Sequence, residues 1–481
     1  MNLSEKILSG ILWSSIERLS VQIIQFVVGV VLARILDPEE YGVMGILFVI
    51  IAFLQVFVDS GFSKALIQKQ DRTFVDISTV FFFNIGVSIF CYILLWVASP
   101  FIAEFYNNLE LSLYIRVVGI SLFFNALIAI PITILTIDVN FKSIGRINFI
   151  SALVSGVIAI IMAYLDFGIW ALVFQTIIRV VVALLVVFFN VSWRPVFMFS
   201  ATSFKNLFSF GSKLLYSSLL NMVVNNFTSI FIAKLSSVKD LGYYTRGTQF
   251  SDVVYGVFSS VLDSVLLPTL SQIQNEQKKL VNVTRKIIKS TAIINIPLFM
   301  LLILLAEPLI KTLLTDKWIM AVPIMQIMCI ARMITIISGI NINVLYAIGR
   351  ADLALKQQYV KILVRVVLVS ISLKYGIIFI AFAELTSTMI HFFINTYYPG
   401  KLLKYGPFDQ IKDLLPIVFA SLIMMFGVFV AIYFIENNII KLVLAIFTAL
   451  PLYFIFIYLF KVQEFITFYT KLKISLIRYK R

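Results

Sequence analysis

Residues 33–42 read ARILDPEEYG, and residues 233–242 read AKLSSVKDLG. Ala33/Ala233, Arg34/Lys234, Ile35/Leu235 and Gly42/Gly242 align without a gap. Farther on, VDSGFSKALIQKQ from Val58 faces LDSVLLPTLSQIQ from Leu262, matching Asp59/Asp263, Ser60/Ser264, Leu66/Leu270, Gln68/Gln272 and Gln70/Gln274. The offset grows by about one helical turn between the two matches. Two matched segments in the same order predict a duplicated chain.

What is duplicated follows from composition. The chain has 481 residues, of which 61% are hydrophobic and 13% charged, with 45 Phe. Mean hydropathy is +1.01. Such a surface requires lipid as its solvent. Taking about 20 apolar residues per crossing, we expect about fourteen helical spans. They lie near 11–33, 43–66, 78–99, 113–136, 147–164, 169–190, 210–234, 243–270, 290–313, 323–347, 357–374, 377–398, 414–435 and 439–460. Glu17 and Arg18 interrupt the first apolar run, which we read as a retained helix rather than a cleaved signal. The linkers are too short for a soluble domain.

The expected fold is therefore an all-α polytopic membrane protein. An N-lobe over 1–200 and a C-lobe over 201–400 each hold six helices. Residues 401–460 supply two more, and 461–481 form a basic tail. Six is even, so the lobes share one orientation and relate by an axis along the membrane normal.

The net charge of +15 would point to nucleic acid in a soluble protein. Here Lys and Arg fall between apolar runs, so topology and lipid headgroups explain them, and no nucleic-acid partner is expected. With the N-terminus in the cytoplasm, the bias toward inner segments is about three to one, which places both termini inside. Arg18, Arg179 and Arg332 are left within spans. A single His and two Cys, Cys91 and Cys329, offer little for a metal, thiol chemistry or a disulfide framework, and no cofactor is expected.

Polar residues at helical spacing mark faces turned from lipid. The first span carries Ser14, Arg18, Gln22, Gln25 and Gly29, and the seventh carries Ser217, Asn221, Asn225 and Ser229. The second has Gln55, Asp59 and Ser63, and the eighth has Arg246, Gln249, Asp252, Gly256, Ser259 and Asp263. Arg332, Thr335, Gly339 and Asn343 follow in the tenth span, and Glu384, Thr388, His391 and Asn395 in the twelfth. Gln175 and Arg179 lie in the sixth. Helix packing through small and amide side chains accounts for Ser217 or Asn221 taken alone. Arginine at bilayer depth is costlier; it is either an anion fork or half of an internal ion pair, for example Arg332 with Glu384. A hydrogen-bonding role for His391 outweighs a proton relay.

Several segments resemble a known family: LARILDPEEYG (Leu32–Gly42), DSGFSKALIQ (Asp59–Gln68), SWRP (Ser192–Pro195), LGYYTRG (Leu241–Gly247), LLPTLSQIQ (Leu266–Gln274) and AEPLIKTLLTDKW (Ala306–Trp318). The chain is similar to bacterial polysaccharide exporters of the multidrug/oligosaccharidyl-lipid/polysaccharide superfamily, in the colanic-acid-type branch of lipid-linked oligosaccharide flippases. The likeness runs from about residue 12 to 350 and thins beyond 400. It implies a MATE-like fold of two six-helix lobes around a central cleft. It also implies transfer of undecaprenyl-diphosphate-linked repeat units across the bacterial inner membrane, alongside other polysaccharide-assembly proteins. A diphosphate in such a cleft needs cations and amides. Arg18, Arg179, Arg246, Arg332, Asn221, Asn225 and Gln249 are the candidates, and Asp59, Asp252, Asp263, Glu384 and His391 are candidates for ion coupling.

Two rivals stand beside this reading. A cation-coupled multidrug antiporter of the same superfamily should have a net anionic cavity, against which the buried arginines count. A membrane glycosyltransferase or polymerase needs an acid/base constellation, usually on a sizeable loop, and no loop here is long enough.

Overall fold

The computed structural model describes residues 20–467 and residue 470. Arg18 lies outside the described residues, as do the side chains of Asn221, Asn225 and Asp263. All regular structure among the described residues is helical, in two compact units, residues 1–242 and 243–481.

The first unit holds α1 (Ser20–Ile35), α2 (Pro38–Asp59), α3 (Phe62–Gln68), α4 (Phe74–Phe105), α5 (Leu111–Ile137), α6 (Phe141–Tyr164), α7 (Trp170–Asn190) and α8 (Ala201–Leu235). Next comes α9 (Val238–Ser271), whose first turn belongs to this unit. The second unit continues with α10 (Gln277–Leu304), α11 (Ala306–Leu313), α12 (Ala321–Ala347), α13 (Ala351–Ser372), α14 (Ile377–Leu403), α15 (Pro407–Tyr433) and α16 (Asn438–Leu459). Eleven of the described helices are long and apolar enough to cross a membrane. Three expected spans fall outside that set. The described part of α1 begins at residue 20, α8 is rich in polar residues, and α13 carries Asp352, Lys356, Lys361 and Arg365.

The repeated sequence has a structural meaning. Asp37, extended and followed by Pro38, caps α2, and its backbone N–H donates to Glu40 Oε2 at 2.7 Å. Two hundred residues on, Ser237 Oγ accepts from the Asp240 N–H at 3.0 Å at the start of α9. Each is a small polar cap followed three residues later by an acid, which satisfies helix N–H groups that have no partner within the helix. The stretch around Asp37-Pro38 is thus a helix start, and α2 begins five residues earlier than hydropathy placed it.

The matched glycines complete the device. A Cβ on Gly42 would overlap the Val238 carbonyl, and one on Gly242 would overlap the Pro38 carbonyl. The starts of α2 and α9 cross backbone to backbone, each glycine facing the first residue of the other helix. Only glycine permits this approach.

The span expected over 43–66 is broken. Ser60 (φ 45°) and Gly61 (φ 71°) are both left-handed and separate α2 from α3. A Cβ on Gly61 would lie 2.5 Å from the Gly211 carbonyl oxygen, so α8 crosses at the break. The span expected over 290–313 likewise divides at Leu305 into α10 and α11.

Pairing repeats with the sequence. In the first unit α4 packs on α5, α5 on α7 and α6 on α7; in the second, α10 packs on α12, α12 on α14 and α13 on α14. One buried core in the second unit joins Leu266, Ile296 and Ile340 to Ile417 and Met424 of α15 and to Ala445 and Ile457 of α16. Large side chains such as Phe90, Phe101, Phe189, Phe426 and Phe447 point outward. In lipid that exposure is the expected state, and close packing rather than expulsion from water holds the helices together.

Candidate functional site

In the first unit, polar residues of α2 border a cavity of 730 Å³ that α5, α7 and α8 also line. Gln55, Asp59 and Ser63 lie on its wall, with Lys64, Asn125, Thr133 and Thr176. Gln55 Nε2 donates to Asp59 Oδ1 at 3.0 Å. Asp59 ends α2 directly before the left-handed break, so its carboxylate sits at a helix C-terminus, where negative charge is disfavoured. One turn beyond Thr176 on α7 lies Arg179. With the Gln25 amide oxygen facing the guanidinium, it accepts from Arg179 Nη2 at 2.9 Å. Gln25 comes from the polar face of the first span and Arg179 from that of the sixth. Among the described residues, no carboxylate pairs with Arg179.

The second unit gathers three of the predicted polar faces. A cavity of 360 Å³ is lined by Tyr255 and Ser259 of α9, Thr335, Gly339 and Asn343 of α12, and Thr388, His391 and Asn395 of α14. Beside it stand two ion pairs. Arg332 Nε donates to Asp252 Oδ1 at 2.5 Å, and the guanidinium lies over the Tyr255 ring, 5.4 Å from its centroid. Arg365 donates to Glu384 Oε1 from Nε at 3.0 Å and from Nη2 at 2.8 Å. The ion-pair alternative offered for Arg332 holds, but with Asp252 in place of Glu384, which pairs with Arg365. Spacing along one helix gives a face but not the rotation of that face toward its neighbours.

Arg246 is buried and donates from Nη1 to Gln249 Oε1. These two predicted headgroup residues satisfy each other. His391 Nε2 lies 3.0 Å from the Lys361 carbonyl and 3.1 Å from Ser387 Oγ. A carbonyl only accepts, so Nε2 carries the proton, and His391 ties α14 to α13. Asn221 and Asn225 fall on α8, and Asp263 on α9.

Sequence reasoning missed Lys361 and Arg365. The span expected over 357–374 contains both, yet the charges singled out within spans are Arg18, Arg179 and Arg332 alone. In the structure both lie inside α13, and Lys361 is buried. Gln357, Lys361 and Arg365 follow one another at four-residue spacing on one helical face. That spacing was the available signal.

The geometry is that of a polytopic helical protein with polar, charged interiors in both units. Residues 31–323 match the family described as polysaccharide biosynthesis protein. The chain belongs to that family. The chain is 27% identical over 355 residues to teichuronic acid biosynthesis protein TuaB of Bacillus subtilis (strain 168), covering 73% of this chain and 74% of that one. It is 24% identical over 367 residues to lipopolysaccharide biosynthesis protein WzxC of Escherichia coli (strain K12), covering 74% and 73%. Among solved structures, lipid II flippase MurJ in an inward closed conformation superimposes with a TM-score of 0.75 at 20% identity, covering 93% of this chain and 98% of that chain. That likeness establishes a shared fold. This polysaccharide biosynthesis protein is a multi-pass membrane protein.

Proposed function

We propose that the protein is a flippase that moves undecaprenyl-diphosphate-linked oligosaccharide repeat units across the bacterial inner membrane by alternating access, for O-antigen, capsule or exopolysaccharide synthesis. The observation that carries this reading is the placement of ammonium, amide and hydroxyl groups on the walls of interior cavities in a chain otherwise turned to lipid. Family membership and the biosynthetic names of TuaB and WzxC supply the cargo class.

Within this reading the arginines separate. Arg332 and Arg365 are already neutralised by Asp252 and Glu384. Among the described residues Arg179 meets the Gln25 amide oxygen and no carboxylate, so its charge is available to a diphosphate oxygen, and its planar fork suits that anion. Among the described candidates, Asp59 is the coupling acid that pairs with no arginine and lines a cavity. In proteoliposomes loaded with a lipid-linked repeat unit, the wild-type protein should expose the glycan to an external glycosidase. Arg179→Ala should lower that rate at least tenfold, and Arg179→Lys should keep part of it, with equal protein in the membrane. Wild-type vesicles that never expose the glycan would overturn the transport reading.

Both termini are cytoplasmic in this proposal. Reporter fusions after Lys205 and after Arg481 should read inside, and one after Lys317 outside. An outside signal at Arg481 would remove the even number of crossings.

A further inference from the structure

We propose that the 360 Å³ cavity of the second unit recognises one acidic sugar of the cargo, with Lys361 pairing its carboxylate and Asn395 receiving one of its hydroxyls. The inference rests on the transport reading only in that the cargo is a glycan.

Two unmet needs on the wall of one cavity identify the ligand. Lys361 is 8% exposed and lines the cavity. Among the described residues no carboxylate faces its ammonium; the nearest acid of α14, Glu384, is held by Arg365. A buried ammonium without a counter-charge is costly. Asn395 is 4% exposed; its Nδ2 donates to Ser338 Oγ at 2.8 Å, but its buried Oδ1 has no donor. One site therefore asks for an anion and the other for an O–H or N–H. A diphosphate supplies only acceptors. So does chloride. A hydroxy acid supplies both, and a hexuronic acid supplies them on one rigid ring.

The rest of the lining agrees. Asn343 and Thr388 add amide and hydroxyl groups, and Tyr255 and Tyr346 add aromatic rings. The volume sits at the small end of ligand pockets, too large for a bare ion and too small for a whole repeat unit. Among the described lining residues one charge, that of Lys361, has no counter-charge, which fits a carboxylate, whereas the lipid diphosphate carries more than one. Lys361 is positioned by its own backbone, since its carbonyl accepts from His391 Nε2.

Methyl β-D-glucuronide and methyl β-D-glucoside share a ring and differ at the carboxylate. Binding of each to the purified full-length protein, measured by saturation-transfer NMR and by the shift of the unfolding midpoint, tests the proposal. The wild type should hold the glucuronide at least tenfold more tightly. Lys361→Met, apolar and of similar length, should bring the ratio close to one, and Lys361→Arg should keep most of it. Asn395→Leu should weaken both sugars by a similar factor. A wild type that does not discriminate overturns the proposal, as does a Lys361→Met protein that still does. If inorganic diphosphate displaces the glucuronide and its own binding disappears in Lys361→Met, the cavity belongs to the headgroup and the proposal fails. Failure of the transport reading would show separately, as vesicles that move no lipid-linked glycan while the binding ratio stands.

Discussion

Replacing Arg365 by alanine is expected to remove most of the folded protein from the membrane, and adding Glu384→Gln is expected to bring much of it back. The Glu384 side chain is 6% exposed and accepts two charged hydrogen bonds from Arg365. Removing one partner of a buried pair costs about 3–5 kcal/mol, because the remaining charge keeps its desolvation penalty. A loss of that size approaches the whole stability of many folded chains, about 5–15 kcal/mol. Glutamine keeps the shape of Glu384 and removes the uncompensated charge, so the double variant should recover. Fluorescence-detected size exclusion of detergent extracts reads the amount of monodisperse protein directly. Equal yields for Arg365→Ala and the wild type would show that Glu384 finds another partner. Arg332→Ala should be milder, since Asp252 keeps 44% of its side chain exposed and its charge can be hydrated.

The second large effect is expected at the crossing of α2 and α9. Gly42→Ala and Gly242→Ala each drive a methyl group into a backbone carbonyl of the facing helix. A flexible side chain can move aside, but the first turn of a capped helix cannot. Overpacking of this kind costs about 1–3 kcal/mol, and the unfolding midpoint of the purified protein should fall accordingly. Gly86, in the middle of α4, has nothing within 4 Å of its added Cβ. Gly86→Ala should therefore raise the midpoint slightly, by the helix preference of about 0.8–1 kcal/mol. If all three variants unfold alike, the crossing has slack that the structure does not show.

Much of the fold was legible before the structure, because a helix that crosses lipid must announce itself by length and hydropathy. The helix starts were legible only in part. ARILDPEEYG and AKLSSVKDLG showed duplication, yet the reason for it, a cap and a glycine crossing, lies in contacts between segments two hundred residues apart. The break at Ser60-Gly61 was hidden, since a serine-glycine step inside an apolar run does not by itself end a helix. Within the candidate site, the faces on α9, α12 and α14 could be read from four-residue spacing, and they do converge on one cavity. The ion pairs could not be read this way. Whether Glu384 meets Arg332 or Arg365 depends on how two helices are rotated about their axes, which a one-dimensional pattern does not contain. Lys361 was overlooked for a different reason. Positive charge near the end of an apolar run is normally a signpost of topology, and that habit conceals a lysine folded inward.

The amide pair between α12 and α15 bears on how the chain is made. Asn341 Nδ2 donates to Gln410 Oε1 at 3.1 Å, and Gln410 Nε2 returns a bond to Asn341 Oδ1 at 2.7 Å, both side chains being fully buried. The two residues are 69 positions apart. A ribosome adding 5–20 residues per second needs about 3–14 s to cover that distance. For an interval of that length Asn341 is in the bilayer before its final partner reaches it. Water, a lipid carbonyl or a polar group of the insertion machinery must stand in, and must then leave. The last two long helices thus arrive as a late closure of a core whose other walls are already built, and a nascent chain stalled before residue 410 would present that unfinished wall to the cell's membrane quality control.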